Sequence, residues 1–217
     1  MKIIGIDLSG PGNHKDTAVA VFSQKGERLL LDDLMLGASD EDIITTLVAA
    51  QQYEDIAVAI DAPLSYQDGG GDRPQDKQLR KLMKDNGLNG SSVMPPTLTR
   101  MAYLTLRGIS LTRRIMMTEA LNHLQVAEVH PGAAIGTRLE DKKHALLYKK
   151  ELDSRIAIAE WFPSQGIEGL PISVSQTSHT IDACAAALAA WCWIDPNKEV
   201  KWVWKKTSEE NPFALCF

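Results

Sequence analysis

The sequence predicts a single α/β domain over residues 1–217, and three observations lead to this prediction. Short apolar runs of strand-like composition alternate with stretches of helical periodicity. A chain of 217 residues suits one domain with a subdomain insert and is short for two full domains. Hydrophobic residues make up 44% and charged residues 24%, which excludes disordered and collagen-like classes.

The first sixty residues are predicted to fold as three strands, a helix and a fourth strand. The second and third strands are joined by a turn signal at residues 24–26, which indicates a hairpin. Ser39 followed by Asp42 forms a capping-box pattern, and apolar residues at helical spacing come after it. The strands are expected at Lys2–Asp7, Thr17–Phe22, Leu29–Leu36 and Ile56–Ile60.

A helical basic insert is predicted at about residues 66–122, between the fourth and fifth strands. One amphipathic helix is expected at Gln75–Asp85 and a longer one from about Thr99. Gly108 lies on the apolar stripe of the longer helix, where it is either a close-packing point or a break. The later elements are expected at Leu124–Val129 and Lys201–Trp204 as strands, and at Leu139–Phe162 and His179–Ile194 as helices.

The net charge of −5 hides an uneven distribution of charged residues along the chain. Residues 71–150 hold 14 Lys and Arg against 7 Asp and Glu, whereas the other residues hold 9 against 21. A basic middle between acidic flanks indicates a surface that faces a polyanion such as nucleic acid. The alternative is a solvated basic helix face with no partner.

Neither a membrane span nor a secretory signal is predicted. The longest uncharged apolar stretch, Ala183–Ile194, has 12 residues and is too short to cross a bilayer. Asp7 interrupts the apolar run near the N-terminus, which is unlike a secretory signal. The three cysteines have no paired or metal-type spacing, which favours a reducing, cytoplasmic setting.

Four acidic residues occupy unusual positions and are the candidate catalytic and metal-binding residues. Asp7 and Asp61 each end an apolar strand-like run, Glu128 is near the end of a third, and Asp182 interrupts an alanine-rich helix. Ligands collect at the carboxyl ends of strands in open α/β sheets. Converging carboxylates repel one another unless a cation neutralises them, and oxygen ligands suit Mg²⁺ or Mn²⁺.

Each carboxylate also has a purely structural interpretation. Asp7 could accept hydrogen bonds from the turn that follows it, and Asp61 could cap a turn before a proline. Glu128 could pair with His130 or with an arginine of the insert. Asp182 is the hardest to explain in this way, because a carboxylate on a tightly packed apolar helix face is costly to bury without a partner.

Arginines and histidines near these carboxylates are the candidate substrate-binding residues. Arg100, Arg107 and Arg114 recur at seven-residue steps, so a continuous helix would place them in one column that could meet successive phosphates. The alternative is a solvated helix face paired with local acids. Histidines beside a metal site could move protons or hold a phosphate. The candidates for substrate binding are Ser9, Arg73, Arg100, Arg107, His130 and His179.

Six motifs occur in order along nearly the whole chain and point to a known family. They are GIDLSGPG, AIDAPLS, GGGDRPQD, MPPTLTRM followed by LRGISL, EVHPGAA and HTIDACAAALAAW. Together they resemble domain-of-unknown-function family 429, a family of predicted nucleases with an RNase H-like fold. The resemblance implies a five-stranded mixed sheet of order 3-2-1-4-5, flanked by helices, with a helical insert between strands 4 and 5.

The resemblance also implies an activity. RNase H-like nucleases hold two divalent metals with carboxylates, which implies that Asp7, Asp61, Glu128 and Asp182 bind metal and hydrolyse phosphodiester bonds in nucleic acid. Two alternatives stay open. One is a non-catalytic nucleic-acid or nucleotide binder on the same scaffold. The other is an actin-like ATPase or phosphotransferase, although such proteins close two similar domains around ATP.

Overall fold

The computed structural model describes residues 1–51, 55–121, 123–205, 208 and 211–217. The predicted end of the insert, residue 122, lies outside these ranges. The described residues form an α/β fold, as predicted. Its strands are β1 Lys2–Asp7, β2 Ala18–Lys25, β3 Arg28–Leu36, β4 Ile56–Asp61, β5 Leu124–Val129, β6 Ile167–Glu168, β7 Val203–Trp204 and β8 Ala214–Cys216. Its α-helices are α1 Asp40–Gln51, α2 Pro74–Asp85, α3 Thr99–Met117, α4 Pro131–Gly136, α5 Lys142–Leu147, α6 Leu152–Trp161 and α7 Ser178–Ile194.

The strands join in one mixed sheet of order β6-β3-β2-β1-β4-β5-β8-β7. β1, β4, β5 and β8 are mutually parallel, whereas β2 runs antiparallel to both of its neighbours and β7 runs antiparallel to β8. The described part of the sheet therefore has eight strands, against the five that the resemblance implies, and β7 lies within the strand expected at Lys201–Trp204. β6 and β8 have two and three residues, which is too short for an alternating pattern to be read from the sequence.

The central strand β1 is covered on one face by α7, and the two elements are in unusually close contact. A Cβ atom built on Gly5 would lie 2.0 Å from the carbonyl oxygen of Ala183 and 2.4 Å from the nitrogen of Ala187. Glycine on the strand and alanine on the helix therefore let the two backbones approach directly. α7 is buried along most of its length, which places Asp182 deep under the sheet.

The opposite face of the sheet is covered by α1 and α3. Ile4, Ile6 and Val58 pack there with Leu47 and Leu111, so apolar side chains of β1 alternate between the two faces. α3 continues through Gly108, where an added Cβ would lie 2.7 Å from the carbonyl oxygen of Pro63. Gly108 is thus a close-packing point, and it holds α3 against the segment that follows β4.

The prediction of a single helix at Leu139–Phe162 is wrong, because α5 and α6 are separate helices that residues 148–151 connect. The turn directs the Tyr148 side chain into the core, and the Arg155 guanidinium donates a hydrogen bond to the Tyr148 carbonyl oxygen (3.1 Å). No glycine or proline marks this break. The helical spacing of apolar residues continues through it and therefore predicted one helix.

Two sequence features were used to predict the cellular compartment, namely the lack of a membrane span and the unpaired cysteines. No helix among the described residues combines the length and apolarity that a bilayer crossing requires. Cys184, Cys192 and Cys216 are buried and form no disulfide with one another.

Candidate active site

Two of the predicted carboxylates meet at the carboxyl edge of the sheet. β1 and β4 are adjacent and parallel, and their register pairs Asp7 with Asp61. This pairing brings the two acidic side chains to the same edge of the sheet, where each acts on the charge of the other. Burial and the negative charges of Asp7 and Asp182 hold the pKa of Asp61 well above its usual range, against the opposing charge of Lys149. Asp61 therefore holds a proton more strongly than a free aspartate does.

Asp182 reaches the same region from α7 and is completely buried. Its Oδ1 accepts a hydrogen bond of 2.7 Å from the Tyr148 hydroxyl, and its Oδ2 pairs with the Lys149 ammonium. Burial, with a smaller contribution from Asp7, raises the pKa of Asp182 to about 6, although Lys149 and Tyr148 both lower it. The carboxylate on the apolar helix thus has two defined partners.

Lys149 supplies the positive charge of this cluster. Its side chain is 52% exposed, while its ammonium group reaches the buried Asp182 carboxylate. Burial lowers the pKa of Lys149, but the charges of Asp182, Asp7 and Asp61 outweigh this and raise it above the usual range. Lys149 is therefore a permanent cation that partly neutralises three carboxyl groups.

His179, one turn before the Asp182 position on α7, contacts Asp7. Its Nδ1 lies 2.6 Å from Asp7 Oδ2, and because a carboxylate only accepts, Nδ1 carries the proton. This hydrogen bond is the main reason why the pKa of His179 is raised above its usual value. The contact fixes one oxygen of Asp7.

Glu128 is held by an arginine. Arg73 donates to Glu128 Oε2 at 2.8 Å and to Glu128 Oε1 at 2.5 Å, and it also bonds Asp76. Arg73 is 1% exposed and Glu128 7% exposed. The pairing of Glu128 with an arginine of the predicted insert, one of the two structural alternatives, is therefore confirmed. The guanidinium of Arg73 is occupied by protein groups rather than presented to a substrate.

The predicted arginine column does not form one exposed row. Arg107 is 5% exposed, and its guanidinium donates to Ser9 O, Thr17 Oγ1 and Asp40 Oδ1 at 2.7–2.8 Å. Arg114 pairs with Glu41, while Arg100 is exposed in the first turn of α3. Ser9 hydrogen-bonds Asn13 O and Thr17. Arg107 and Ser9 therefore tie α3 to the turn after β1.

His130 lies beside the site at the N-terminus of α4. Its Nδ1 accepts a hydrogen bond from the Ala133 amide (3.1 Å), so the other nitrogen, Nε2, carries the proton and faces Ser92 Oγ at 3.2 Å. Burial, followed by the charge of Lys149, lowers the pKa of His130 to about 4. His130 is neutral at physiological pH and caps the helix.

Some of these side chains line a cleft with a volume of about 380 Å³. Asp7, Asp61, Lys149, Glu128 and His130 form its polar end, and residues of α2, α3 and α5 form the rest. Lys149 and Tyr148 were absent from the predicted site, since a lysine pair after a leucine-rich stretch carries no distinguishing pattern. Within the described ranges, no three or more His, Cys, Asp or Glu side chains form a group that could hold a metal ion.

Comparison with known proteins agrees with the motif-based resemblance. A family model described as a protein of unknown function, DUF429, matches residues 5–199. A search of curated proteins finds no match to the chain. The matched region contains β1 to α7, including Asp7, Asp61, Lys149 and Asp182. Because the match covers most of the chain, the protein belongs to the DUF429 family.

Proposed function

We propose that this protein is a metal-dependent hydrolase that cleaves phosphodiester bonds in nucleic acid at the cleft around Asp7 and Asp61. The observation that carries the proposal is the in-register pair of carboxyl groups at the ends of two adjacent parallel strands. A lysine ammonium and a buried third carboxylate lie beside this pair. Carboxylates and a fixed cation at the carboxyl edge of a sheet suit phosphoryl chemistry, in which positioning and charge stabilisation dominate.

The arrangement of strands supports an RNase H-like fold. The succession β3-β2-β1-β4-β5 forms the centre of the sheet, with β2 antiparallel and β4 and β5 parallel to β1. Asp7 lies on the central strand, Asp61 on its neighbour and Asp182 on the helix that covers both. The fold alone is shared by proteins of many activities, so the proposal depends on the side chains.

The donor set favours one divalent cation over two. Glu128 is bound by Arg73, and Asp182 by Tyr148 and Lys149, so a four-carboxylate, two-metal site does not fit this arrangement. Asp7 and Asp61 do fit one Mg²⁺ or Mn²⁺, because Mg²⁺ in proteins is often held by one or two carboxylates together with water and substrate phosphate oxygens. When bound there, the cation would act as a Lewis acid toward a phosphoryl oxygen.

The residues around Asp7 and Asp61 have distinct roles in this proposal. His179 holds Asp7 in one orientation through the hydrogen bond from Nδ1. Lys149 offers a positive charge toward the negative charge that develops on the transferring phosphoryl group. Tyr148 and Asp182 together hold Lys149 in place, since Asp182 contacts both. Arg73 and Glu128 fix the segment between β4 and α2 to the end of β5.

The test is cleavage of end-labelled single-stranded, duplex and branched DNA and RNA with Mg²⁺ or Mn²⁺. Asp7→Asn and Asp61→Asn should each reduce the rate at least 100-fold, because each removes one of two charged donors. Asp33→Asn is the matched control, since Asp33 is an exposed aspartate on β3. Full activity in both site variants, or no cleavage of any substrate by the wild type, would refute the proposal.

A non-catalytic binder is the second candidate function, and one observation favours it. Lys149 already supplies a positive charge to the acidic cluster, so the site is partly neutralised without a metal. A binder would retain nucleic-acid affinity in Asp7→Asn and show no turnover with either metal. Filter binding measured beside the cleavage assay separates the two functions.

A further inference from the structure

The cleft has a second part, next to its acidic end, that the hydrolysis of a phosphodiester bond does not itself require. This chamber is lined by six apolar side chains from α2, α3 and the segment between these two helices. Three of the six are methionines. The six residues are Leu79, Met83, Leu88, Met94, Met101 and Leu104.

A few polar groups stand within this apolar lining. The His130 Nε2 and Ser92 Oγ atoms lie 3.2 Å apart at the wall, and Asn89 also lines the chamber. The side-chain oxygen of Asn89 accepts hydrogen bonds from the Ser91 amide and hydroxyl, so the part of this side chain that can donate to a ligand is its amide group. The Ser92 hydroxyl donates to the Asn89 backbone carbonyl oxygen (2.8 Å) and faces His130 Nε2, so these two groups are already paired. The Asn89 side-chain amide is the group that an aliphatic ligand would cover without pairing it, which is unfavourable.

We propose that the chamber binds one unstacked nucleobase, next to the phosphate that lies at Asp7 and Asp61; this inference rests on the proposed function. Apolar walls suit the two faces of a base, and methionine sulfur makes favourable contacts with aromatic rings. The polar groups suit its hydrogen-bonding edge. The whole cleft, with its acidic end, has a volume of about 380 Å³, which is large enough for one small ligand.

The substrate class follows from this geometry. A base can enter the chamber only from a single strand, a loop or end, or a nucleotide turned out of its duplex, because a stacked and paired base does not expose its faces. The enzyme should therefore act on single-stranded or locally unpaired nucleic acid and leave an uninterrupted duplex intact.

The test uses the methionines as reporters in the full-length protein. With ¹³C-labelled methionine methyl groups, we would titrate adenosine and cytidine, with ribose as the base-free probe, in EDTA and without any substrate. Nucleosides should shift the Met83, Met94 and Met101 methyl resonances through their ring currents, and ribose should not. Met116 and Met117, which are 64% and 72% exposed on α3, are internal controls that should not move.

A blocking variant provides the second measurement. Ser92→Trp should fill part of the chamber and weaken nucleoside binding at least tenfold, whereas Ser110→Trp, on the exposed face of α3, should not. The inference is overturned if nucleosides leave the three chamber methyl groups unmoved, if ribose shifts them equally, or if Ser92→Trp binds like the wild type.

The two proposals fail separately. Methyl shifts in a protein that cleaves no substrate would support the base site and refute the hydrolase. Cleavage of single strands without any methyl response to nucleosides would support the hydrolase and refute the base site. Equal cleavage of single-stranded and continuous duplex substrates would also refute the base site.

Discussion

Three aspartates of the site differ mainly in the partners that surround them. Asp7 accepts a hydrogen bond from His179, Asp182 is bound by Tyr148 and Lys149, and Asp61 is paired in register with Asp7. Asp61 therefore lies between two other negative groups, and its pKa is raised well above its usual range. At the scale of single residues, Asp61 is therefore the carboxyl group whose charged form an added cation would stabilise most.

His130 should make stability depend on pH. Its pKa of about 4 in the fold lies below the value of about 6.5 for an unfolded histidine, so between these pH values the unfolded chain binds a proton that the fold excludes. Stability should therefore fall as pH is lowered through this window. We expect the wild type to lose about 2 kcal/mol more than His130→Asn, which keeps an acceptor at the helix N-terminus.

Urea unfolding of the two proteins at pH 7 and at about pH 4.5 measures this difference. Carboxylates that titrate in the same range contribute to both proteins and cancel in the comparison. An identical loss of stability in the wild type and in His130→Asn would show that His130 is not kept neutral by the fold.

Arg73 is predicted to be important for stability through its buried ion pair. Arg73→Met should cost about 3–5 kcal/mol, because it leaves the Glu128 carboxylate buried without a counter-charge. The double variant Arg73→Met/Glu128→Gln should recover part of that loss. Arg28→Met is the control: its pair with Glu168 is exposed, and its removal should cost less than about 1 kcal/mol.

Chemical denaturation of the four proteins gives these free energies of unfolding. If Arg73→Met and Arg28→Met lowered the free energy of unfolding by the same small amount, the buried pair would not hold the β4–α2 segment. If the double variant were as unstable as Arg73→Met alone, the unpaired Glu128 charge would not be the cause.

At the scale of elements, the contact between β1 and α7 determines where the site lies. Gly5 and the alanines of α7 bring the two backbones together, and this places Asp182 and His179 beside Asp7. α3 packs on the opposite face of the sheet, where the Arg107 guanidinium donates a hydrogen bond to the Ser9 carbonyl oxygen in the turn after β1. The arginines at 107 and 114 thus pair with acids of α1, which are 67 and 73 positions away in the sequence, and not with the local acids that the structural alternative for this helix expected.

Gly5→Ala should disrupt this contact. The new methyl group would overlap backbone atoms of Ala183 and Ala187, which cannot move independently, so we expect a loss of about 3 kcal/mol or more. Gly12→Ala is the matched control, since a Cβ at Gly12 meets nothing within 4 Å, and it should change stability by less than about 0.5 kcal/mol. Thermal and urea unfolding compare the two, and equal stabilities would contradict the close approach.

At the scale of the whole molecule, one edge of the sheet gathers residues that are far apart in the chain. Asp7, Asp61, Lys149 and Asp182 come from β1, β4, the turn after α5 and α7. A ligand that binds all of them links the first and last parts of the fold. Its binding should therefore stabilise the native protein against global unfolding.

A divalent cation should raise the melting temperature, and the effect should require Asp61. At about ten times its Kd, Mg²⁺ would add about 1.4 kcal/mol, which is about 3–5 °C for a chain of this size. Asp61→Asn should lose this shift but should not be less stable than the wild type in EDTA, because it removes a repelled carboxylate. Asp33→Asn should behave like the wild type.

Differential scanning calorimetry with and without Mg²⁺ or Mn²⁺, at constant ionic strength, is the measurement. A shift of equal size in Asp61→Asn would place the cation elsewhere. A lower melting temperature of Asp61→Asn in EDTA would indicate a structural role for this carboxyl group.

The amino-acid sequence by itself determined the α/β class, the central strands and the family. Lys2–Asp7 and Leu124–Val129 were predicted with the observed limits, because buried strands are local apolar runs whose ends are marked by polar residues. The shortest strands have only two or three residues, which is too few to show such a pattern clearly in the sequence. The turn at residues 148–151 was missed because it has no glycine or proline to mark it.

The partners of each charged side chain were decided only by the tertiary structure. Asp7, Asp61, Glu128 and Asp182 are equivalent as strand-end or helix carboxylates in the sequence, yet Glu128 pairs with Arg73, and Asp182 with Lys149. These contacts join residues 55 and 33 positions apart, and the distance between such groups depends on strand order and helix packing rather than on local spacing. The positions of the carboxylates in the sequence predicted that they needed cations, and the fold determined which side chains supply the positive charge.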